Sequence, residues 1–439
     1  MRSVISMFSP AGILMVLGSL FFNMAGHSQV NSPYSRFGIG DLYYSRNVSS
    51  KGMGGLATTY KEIQSVNFIN PASYTALNFV TFDVGIESEF RTITDQEKAN
   101  RYESANLIFN YLALGVPLAK DKKGFNKWGL AFGIRPVSRV RYDIESPGRL
   151  NGIDSVLNEY RGSGGLYRGF LGMGYRIGKL SLGVNAGYVF GQKEVSTYRS
   201  MPNDSVFYFT ASINQRTSIT MFSMDGGFQY EIPIAKKGNI RLGANGYLGG
   251  DATGKREQVA QTVFFDALGQ PDSIDVVLRA NSTGTYTLPA GYTAGISYEK
   301  ANKFMFGGEY ETSKWSELTD FGQDVGMSDV SMLRLGGYWI PDVTSNRSYW
   351  KQVVYRAGFF TGKDYVTVNN EQLPVWGVTF GGGFPIRRFN TYSTQFNTVN
   401  LSFEYGRRGN GQSPYVERYF KVNVGLALSD IWFIKRQYD

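Results

Sequence analysis

Two pairs of carboxylates have the spacing in this chain that most suggests chemistry. Glu309 and Glu311 are two residues apart, and so are Glu87 and Glu89. Because residues two apart share one face of an extended strand, each pair can point into one cavity, as acid–base work by carboxylates requires. Such pairs more often face Arg or Lys across the interior of a barrel, so the spacing alone does not indicate an enzyme.

The chain lacks most other residue types used in catalysis and metal binding. It has no cysteine, and its single histidine is His27, near the N-terminus. Nucleophile–base pairs and zinc sites are built mainly from these two residue types. We therefore expect no catalytic residue, no cofactor and no metal ion.

The first 28 residues have the three parts of a secretory signal peptide. Arg2 is the positive charge, residues 11–22 form a short apolar core, and Gly26 and Ser28 are the small residues of a cleavage site. An uncleaved anchor is the alternative. We expect the domain division to be signal peptide 1–28, an N-terminal hatch 29–77 and a barrel 78–439.

Composition and charge favour a barrel in a membrane over a nucleic-acid-binding protein. The formal charge is +9, but Lys and Arg are scattered along the chain, so we expect no nucleic-acid partner. Basic residues suit lumenal walls and anionic lipid headgroups. A hydrophobic fraction of 42% is too low for a helical membrane protein and suits strands that alternate between lipid and lumen.

Alternation with a period of two residues dominates the sequence after residue 78. In residues 180–191 the even positions are Leu, Leu, Val, Ala, Tyr and Phe, and the odd positions are Ser, Gly, Asn, Gly, Val and Gly. Many such runs exceed ten residues and carry aromatic residues near their ends. These features predict an all-β protein, an antiparallel transmembrane β-barrel of about fourteen strands.

Short and long connections alternate along the predicted barrel, as they do in outer-membrane proteins. An even number of strands keeps both ends of the barrel on the periplasmic side. Two long strand regions, 206–234 and 284–299, could each contain an extra hairpin. Short turns are expected at 178–179, 236–238 and 300–302, and long polar loops at 144–164, 251–275, 315–328 and 363–373.

The residues before the barrel do not alternate. Gly52, Gly54 and Gly55 permit positive φ and close backbone approach, and Asn70 before Pro71 favours a turn. These features indicate a compact, irregular segment of about fifty residues. The strands themselves are rich in Gly on the predicted inner face, which leaves room for such a segment inside the barrel.

The run SKGMGGLA at 50–57, followed by Asn70-Pro71-Ala72, resembles the hatch of the FadL-like family of long-chain fatty acid and aromatic hydrocarbon transporters. Residues 288–316 and 379–385 are similar to later strands of that family, in the same order. The resemblance implies a fourteen-stranded barrel plugged by the hatch. It further implies that hydrophobic molecules pass into the wall and sideways into the membrane. The hatch motif is Gly52, Gly54, Gly55, Asn70, Pro71 and Ala72.

In that family an inward kink in the third strand opens the lateral exit. Arg135, Pro136 and Ser138 fall within the third predicted strand here. Because proline cannot donate to a ladder, Pro136 predicts a local break in pairing. A lateral gate at these residues and an ordinary bulge at the barrel rim both remain open. The family's ligand contacts in the long loops have no recognisable counterpart in this sequence.

Two functions follow for an integral protein in the outer membrane of a Gram-negative bacterium, surrounded by outer-membrane lipid. The first is uptake of a hydrophobic small-molecule ligand through the plugged barrel. The second is a non-transporting partner or scaffold subunit of an outer-membrane machine for protein secretion or assembly, with protein partners on its loops or outer face.

Overall fold

The computed structural model describes residues 32–96, 100–120, 126–150, 153–202, 208–234, 238–265, 271–345, 347–386 and 396–432. The predicted signal peptide, 1–28, lies outside these residues. Within them, no helix combines the length and apolar character that a membrane crossing needs.

Fourteen long antiparallel strands form the barrel. The runs that alternate between apolar and small or polar residues are the ones that form these strands, because alternation gives a strand one apolar face and one polar face. The strands are β1 (Val80–Asp95), β2 (Arg101–Lys120), β3 (Asn126–Leu150), β4 (Ile153–Ile177), β5 (Leu180–Ser200), β6 (Thr210–Ile234), β7 (Gly238–Tyr247 and Gly250–Phe265), β8 (Pro271–Leu288 and Gly291–Lys300), β9 (Phe304–Ser313), β10 (Val330–Trp339), β11 (Val354–Val368), β12 (Glu371–Ile386), β13 (Phe396–Arg408) and β14 (Tyr415–Asp430).

Each strand pairs with its neighbours in the chain, and the last pairs with the first. The β14–β1 ladder runs from Tyr415 opposite Asp95 to Asp430 opposite Val80, which closes the sheet. The two parts of β7 both pair with β6, so they form one interrupted strand. The predicted antiparallel barrel of about fourteen strands is confirmed, and the described residues of the two long regions contain no extra hairpin.

Three of the four predicted long loops are wrong in detail. β3 and β4 remain paired to their ends near residue 150, and β7 and β8 remain paired to theirs near residue 265, so the described residues within 144–164 and 251–275 belong to strands. In 363–373, β11 and β12 pair up to a turn at Asn369 and Asn370, both with positive φ. These extensions have polar residues on both faces, and ladder hydrogen bonds form without any apolar alternation to reveal them.

The predicted loop at 315–328 is the one that leaves the barrel wall. It contains a 3₁₀ turn, Trp315–Glu317, and a small hairpin that pairs Thr319–Asp320 with Gln323–Asp324. Trp315 is buried, so the loop folds inward over the interior of the barrel.

The outer face of the barrel is an apolar band. On β5, Leu182, Val184 and Tyr188 are 41%, 53% and 52% exposed, whereas Asn185, on the opposite face, is 1% exposed. In a barrel of this kind, outward apolar side chains that contact no other part of the protein are in contact with lipid. The band is therefore the membrane-facing surface.

The two ends of the barrel differ. The first strand begins at Val80 and the last strand ends at Asp430. Both residues lie at the end of the barrel that carries the short turns at 178–179 and 301–303. At the opposite end β3 to β8 continue past the apolar band, where exposed Arg161 and Arg216 replace apolar residues on the outer face. The extended parts of these six strands are called the projecting wall. Because short turns face the periplasm in such barrels, the projecting wall is extracellular.

Candidate functional site: the N-terminal segment and the seam in the wall

Residues 32–77, the N-terminal segment, are almost wholly buried against the inner face of the barrel. Met53, Leu56 and Tyr74 have no exposed side-chain area, and Phe68 is 1% exposed. Hydrogen bonds join the segment to Glu87 on β1, Asn185 on β5, Glu309 on β9 and Thr379 on β12. Because its partners surround it, the segment lies inside the ring of strands.

The glycines of the first motif stand where the segment touches the wall. Gly54 and Gly55 have φ of +69° and +83°, a conformation that favours glycine. The Gly54 N–H donates to Thr379 Oγ1 at 2.7 Å. A Cβ on Gly54 would lie 2.8 Å from the carbonyl oxygens of Leu335 and Phe359, so the close approach requires glycine there.

Gly52 has a different role from its two neighbours. It ends the short helix Val48–Lys51 with an ordinary φ of −64°. A Cβ at this position would lie 3.3 Å from the Arg356 side chain and from Gly381, which is a tight contact without a clash. Gly52 therefore tolerates a small side chain better than Gly54 does.

Glycines on the wall complement those on the segment. A Cβ on Gly336 would lie 2.1 Å from the Met53 carbonyl oxygen, and one on Gly358 would lie 2.1 Å from the Gly54 nitrogen. Heavy atoms cannot approach so closely. The inward glycines of β10 and β11 thus provide the space that the segment occupies.

Asn70, Pro71 and Ala72 form the second contact of the segment with the wall. Asn70 Oδ1 accepts from the Ala72 N–H at 3.1 Å and caps the 3₁₀ turn Pro71–Ala76. Asn70 Nδ2 donates to the carbonyls of Thr58 at 2.7 Å and Phe228 at 3.2 Å. All three motif residues are buried, and the Asn70 side chain links the segment to β6.

The first carboxylate pair binds arginines. Arg46, on the segment, donates to Glu309 at 3.0 Å and to Glu311 at 2.8 Å, and Arg334 on β10 donates to Glu311 at 2.8 Å. Their side chains are between 1% and 12% exposed. Two positive and two negative charges in one dry cluster balance each other, which is the condition under which buried charges are tolerated.

The second carboxylate pair is arranged in the same way. Glu87 binds Lys51 of the segment, and Glu89 accepts from Arg91 at 2.8 Å. Lys421 lies within 3.8 Å of both carboxylates. Burial lowers the pKa of the Lys51 ammonium, and the nearby Glu87 carboxylate opposes this. Each carboxylate of both pairs has a cation partner, an arrangement that holds the segment in place and leaves no free acid–base pair.

The wall of the barrel contains a seam between β2 and β3. Their ladder runs from Lys120 opposite Asn126 to Leu112 opposite Ile134 and ends there. Further toward the extracellular end, the described part of β2 pairs with β1 alone. β3 pairs there with β4 and, over two residues, with the segment.

The residues predicted as a lateral gate lie at this seam. Arg135 is the first residue of β3 past the end of the ladder, with its guanidinium 5.8 Å from the centre of the Phe68 ring. Pro136 and Ser138 face Tyr167 and Leu166 on β4, with a bulge between them. The structure thus brings the three residues together at one side of an unpaired stretch of wall.

A strap from the N-terminal segment crosses the inner side of the seam. The Tyr43 N–H donates to the Val137 carbonyl on β3 at 2.9 Å. Ser45 Oγ donates to the carbonyl of Asn110, a bulge residue of β2, also at 2.9 Å. Asp41 and Leu42 pair with Arg139 and Ser138. The strap, residues 41–46, therefore spans both unpaired edges. It is not predictable from sequence, because its two paired residues are too few to show an alternating pattern.

A cavity of about 770 Å³ lies in the seam outside the strap. Leu107 and Phe109 line it on β2, and Pro136 and Tyr167 line it on β3 and β4. Arg139 and Arg141 add positive charge toward the extracellular side. Asp143 and Glu194 also line the cavity, so its lining combines apolar side chains with charges of both signs and suits an amphiphilic molecule. Across the described part of the chain, no cluster of three His, Cys, Asp or Glu is arranged to hold a metal ion.

A closed antiparallel barrel with an apolar exterior and a polar, occupied interior defines an integral outer-membrane protein. Its fold is FadL-like, as the sequence resemblance implies. The toluene transporter TodX of Pseudomonas putida superposes with a TM-score of 0.57 at 16% identity, over 90% of this chain and 99% of TodX. A FadL homologue of Pseudomonas aeruginosa gives 0.55 at 11% identity, over 90% and 100%. The toluene transporter TbuX of Ralstonia pickettii gives 0.54 at 13% identity, over 88% and 98%.

The family is more specific than the fold. The model of the BamG family matches residues 7–439, so this chain belongs to the BamG family. No curated protein matches the chain in sequence.

Proposed function

We propose that this protein is a non-transporting subunit of an outer-membrane machine that assembles proteins, and that residues 32–77 act as a fixed hatch within it. The observation that carries the proposal is the charge network between the segment and the wall, in which Arg46 binds Glu309 and Lys51 binds Glu87. Membership of the BamG family supports an assembly-related role.

The chemistry of the interior supports a filled barrel over an uptake channel. A hydrophobic solute needs a continuous apolar path. A described cavity of about 120 Å³ beside the segment is lined by Asp41, Arg46, Lys51, Arg91 and Arg334 among others, although a second cavity of about 160 Å³ is lined in part by Val189, Met221 and Leu288. Moving a hatch so bound would separate several buried ion pairs, and breaking one such pair costs about 3–5 kcal/mol. The interior therefore favours a structural role for the segment.

The test is depletion of the protein in its native cells. We expect newly made outer-membrane barrels to fold more slowly, measured as the fraction that resists unfolding in cold detergent on a gel. Uptake of labelled oleate and toluene should change only as far as the outer membrane changes as a whole. Normal folding of other barrels after depletion would contradict the proposal, as would purification in mild detergent that always gives the protein alone.

Uptake of a hydrophobic small molecule is the second candidate, and the seam cavity favours it. A cavity of about 770 Å³ between unpaired strand edges is large enough for a fatty acid or an aromatic hydrocarbon. In this reading Arg135, Pro136 and Ser138 form the lateral gate.

Filling the seam cavity separates the two candidates. Ser138→Trp, placed at the cavity, should abolish uptake of oleate or toluene if the seam is an exit, and it should leave barrel assembly unchanged. Ser218→Trp, on the outer face of the projecting wall, is the matched control because it adds the same bulk away from the cavity. Unchanged uptake in the Ser138→Trp protein would remove the transport reading.

A further inference from the structure

The extracellular part of β8 is the edge of the projecting wall. From Asp272 opposite Phe264 to Thr285 opposite Thr253, it pairs with β7 on one side. On its other side, pairing within the described residues is limited to Tyr286 and Thr287, which meet the small hairpin at 319–320. Residues 272–285, the β8 edge, therefore present a row of backbone N–H and C=O groups without strand partners.

The β8 edge exposes apolar side chains. Ile274, Val276 and Leu278 are 46%, 45% and 50% exposed, and Val277 is 73% exposed. Ile274 and Val277 are bulge residues that oppose no residue of β7, because the ladder passes from Ser273 to Asp275 and from Val276 to Leu278. Neither residue is needed to hold β8 against β7.

Lipid does not cover these side chains. Phe222 is the last lipid-facing residue of β6, and the next outward residue, Thr220, pairs with Thr253, which in turn pairs with Thr285. Val277 lies eight residues beyond Thr285, or about 25 Å along the strand at ~3.3 Å per residue. Exposed apolar residues on the water side of a membrane protein mark an interaction surface.

The opposite edge of the same wall is protected. Among the described residues, β3 has no ladder partner past Arg139 on the side toward β2, and it carries exposed charges there at Asp143, Glu145 and Arg149. Charged side chains are one means by which natural sheets prevent edge-to-edge association. The β8 edge has exposed charges of its own at Asp272, Asp275 and Arg279, but it differs in carrying three consecutive exposed apolar residues at 276–278, which the β3 edge lacks.

We propose that the β8 edge binds an extended segment of a second, cell-surface protein, which adds a strand to the projecting wall. Main-chain hydrogen bonds to residues 272–285 would supply the affinity, and pockets for alternate side chains around Val277 would supply the specificity. The segment that fits is a β-strand with apolar residues at alternate positions. This partner surface extends the proposed subunit role.

A second copy of this chain does not fit at the β8 edge. The position next to the β8 edge is the one that β9 would occupy if it continued toward the extracellular side past Ser313, where it ends. A copy inserted in the same membrane carries its own extracellular β8 above its own membrane-spanning β8. To pair here, its barrel would have to occupy the place of β9. The partner must therefore approach from the extracellular side.

The test is hydrogen–deuterium exchange of the full-length protein in native outer-membrane vesicles and after purification in mild detergent. We expect residues 272–285 to exchange at least tenfold more slowly in vesicles than in the purified protein. Equal exchange in both samples would overturn the proposal.

Two variants separate strand addition from a general effect of the membrane. Val277→Lys places a charge on the edge at a bulge, so the β7 ladder is kept, and it should abolish the protection. Ile213→Lys is the matched control, because Ile213 is 46% exposed in the same wall but lies on β6, which is paired on both sides. Protection that survives Val277→Lys, or is lost equally in Ile213→Lys, contradicts the inference.

A photo-crosslinking residue at Val277 identifies the occupant. A product of this chain with a different protein, absent from the same experiment at Ile213, supports the inference when exchange protection is also present. A product of two copies of this chain overturns it. If the edge is occupied but depletion leaves barrel assembly normal, the interface stands and the assembly role fails.

Discussion

Arg46 and Glu309 form a buried charge link between the N-terminal segment and the barrel wall. The guanidinium donates to Glu309 Oε1 at 3.0 Å, and the two side chains are 6% and 1% exposed. Glu309 Oε2 accepts from the backbone N–H groups of Ala57 and Thr58 at 2.9 and 2.8 Å. One wall carboxylate therefore holds a side chain and a turn of the segment at once.

Glu309→Gln should loosen the segment without unfolding the barrel. The amide keeps the shape but leaves the buried Arg46 with less compensating charge, which costs about 3 kcal/mol, or roughly 150-fold in an opening equilibrium. Limited proteolysis in detergent should cleave residues 32–77 correspondingly faster, while the barrel still migrates as a folded species on cold gels.

Glu317→Gln is the matched control for that change. Glu317 pairs with Lys314 at 3.5 Å, but both side chains are about half exposed, and exposed pairs contribute about 0–1 kcal/mol. Its proteolysis should match that of the unaltered protein. Equal cleavage of the Glu309→Gln and Glu317→Gln proteins would mean that the buried charge link does not hold the segment.

Gly336→Ala should displace the segment by steric pressure alone. The added Cβ would lie 2.1 Å from the Met53 carbonyl oxygen, and overpacking of this kind costs about 1–3 kcal/mol. Faster exchange of the amides at 52–56 is the expected result. Gly169→Ala, on β4, is the control because a Cβ there meets nothing within 4 Å. The steric account fails if the two variants exchange alike at 52–56.

The barrel was predictable because the side chains of its strands alternate between lipid and lumen with a period of two residues. In residues 180–191 the alternation fixes both the strand and the face that meets lipid, and Val184 and Asn185 lie outside and inside as the period requires. The strand extensions among the described residues of 144–164 and 251–275 are not predictable from sequence, because strands with water on both faces need no alternation. Their ladder bonds are formed by backbone groups that every residue carries.

The site was predictable in part. The glycines at 52–55 indicated close approach, which Gly54 makes against β10 and β11. The pairing of Glu309 with Arg46 was not readable, because contacts between residues 263 positions apart depend on the closed fold. Asn110 gave no signal either, since a bulge is set by the register of two strands and not by the residue itself.

Val184→Arg should impair insertion of the barrel. Val184 is 53% exposed within the apolar band of β5, and an arginine facing the middle of the bilayer costs about 2–4 kcal/mol. Urea titration of the protein folded in lipid vesicles should show this loss. Gln192→Arg, on the same face but past the last apolar residue, Phe190, should cost less than about 1 kcal/mol. A similar loss in both variants would contradict the assigned depth of the band.

Asn110→Ala should release the strap from the seam. Asn110 Nδ2 donates to the Arg46 carbonyl at 3.3 Å, and its side chain also meets Ser45 Oγ at 3.4 Å. Loss of a buried hydrogen bond costs about 1 kcal/mol, so amide exchange at 41–46 should be roughly five- to tenfold faster.

Asn106→Ala is the control for the strap, because Asn106 is also buried on β2 but its Nδ2 has no partner within the described residues. A thiol placed at Tyr43 should also react faster with a lipid-soluble reagent in the Asn110→Ala protein than in the Asn106→Ala protein. If the strap closes the seam, exchange and labelling must rise together, since both need the same opening. Faster exchange without faster labelling would mean that the strap frays toward the interior and the seam stays closed by other contacts.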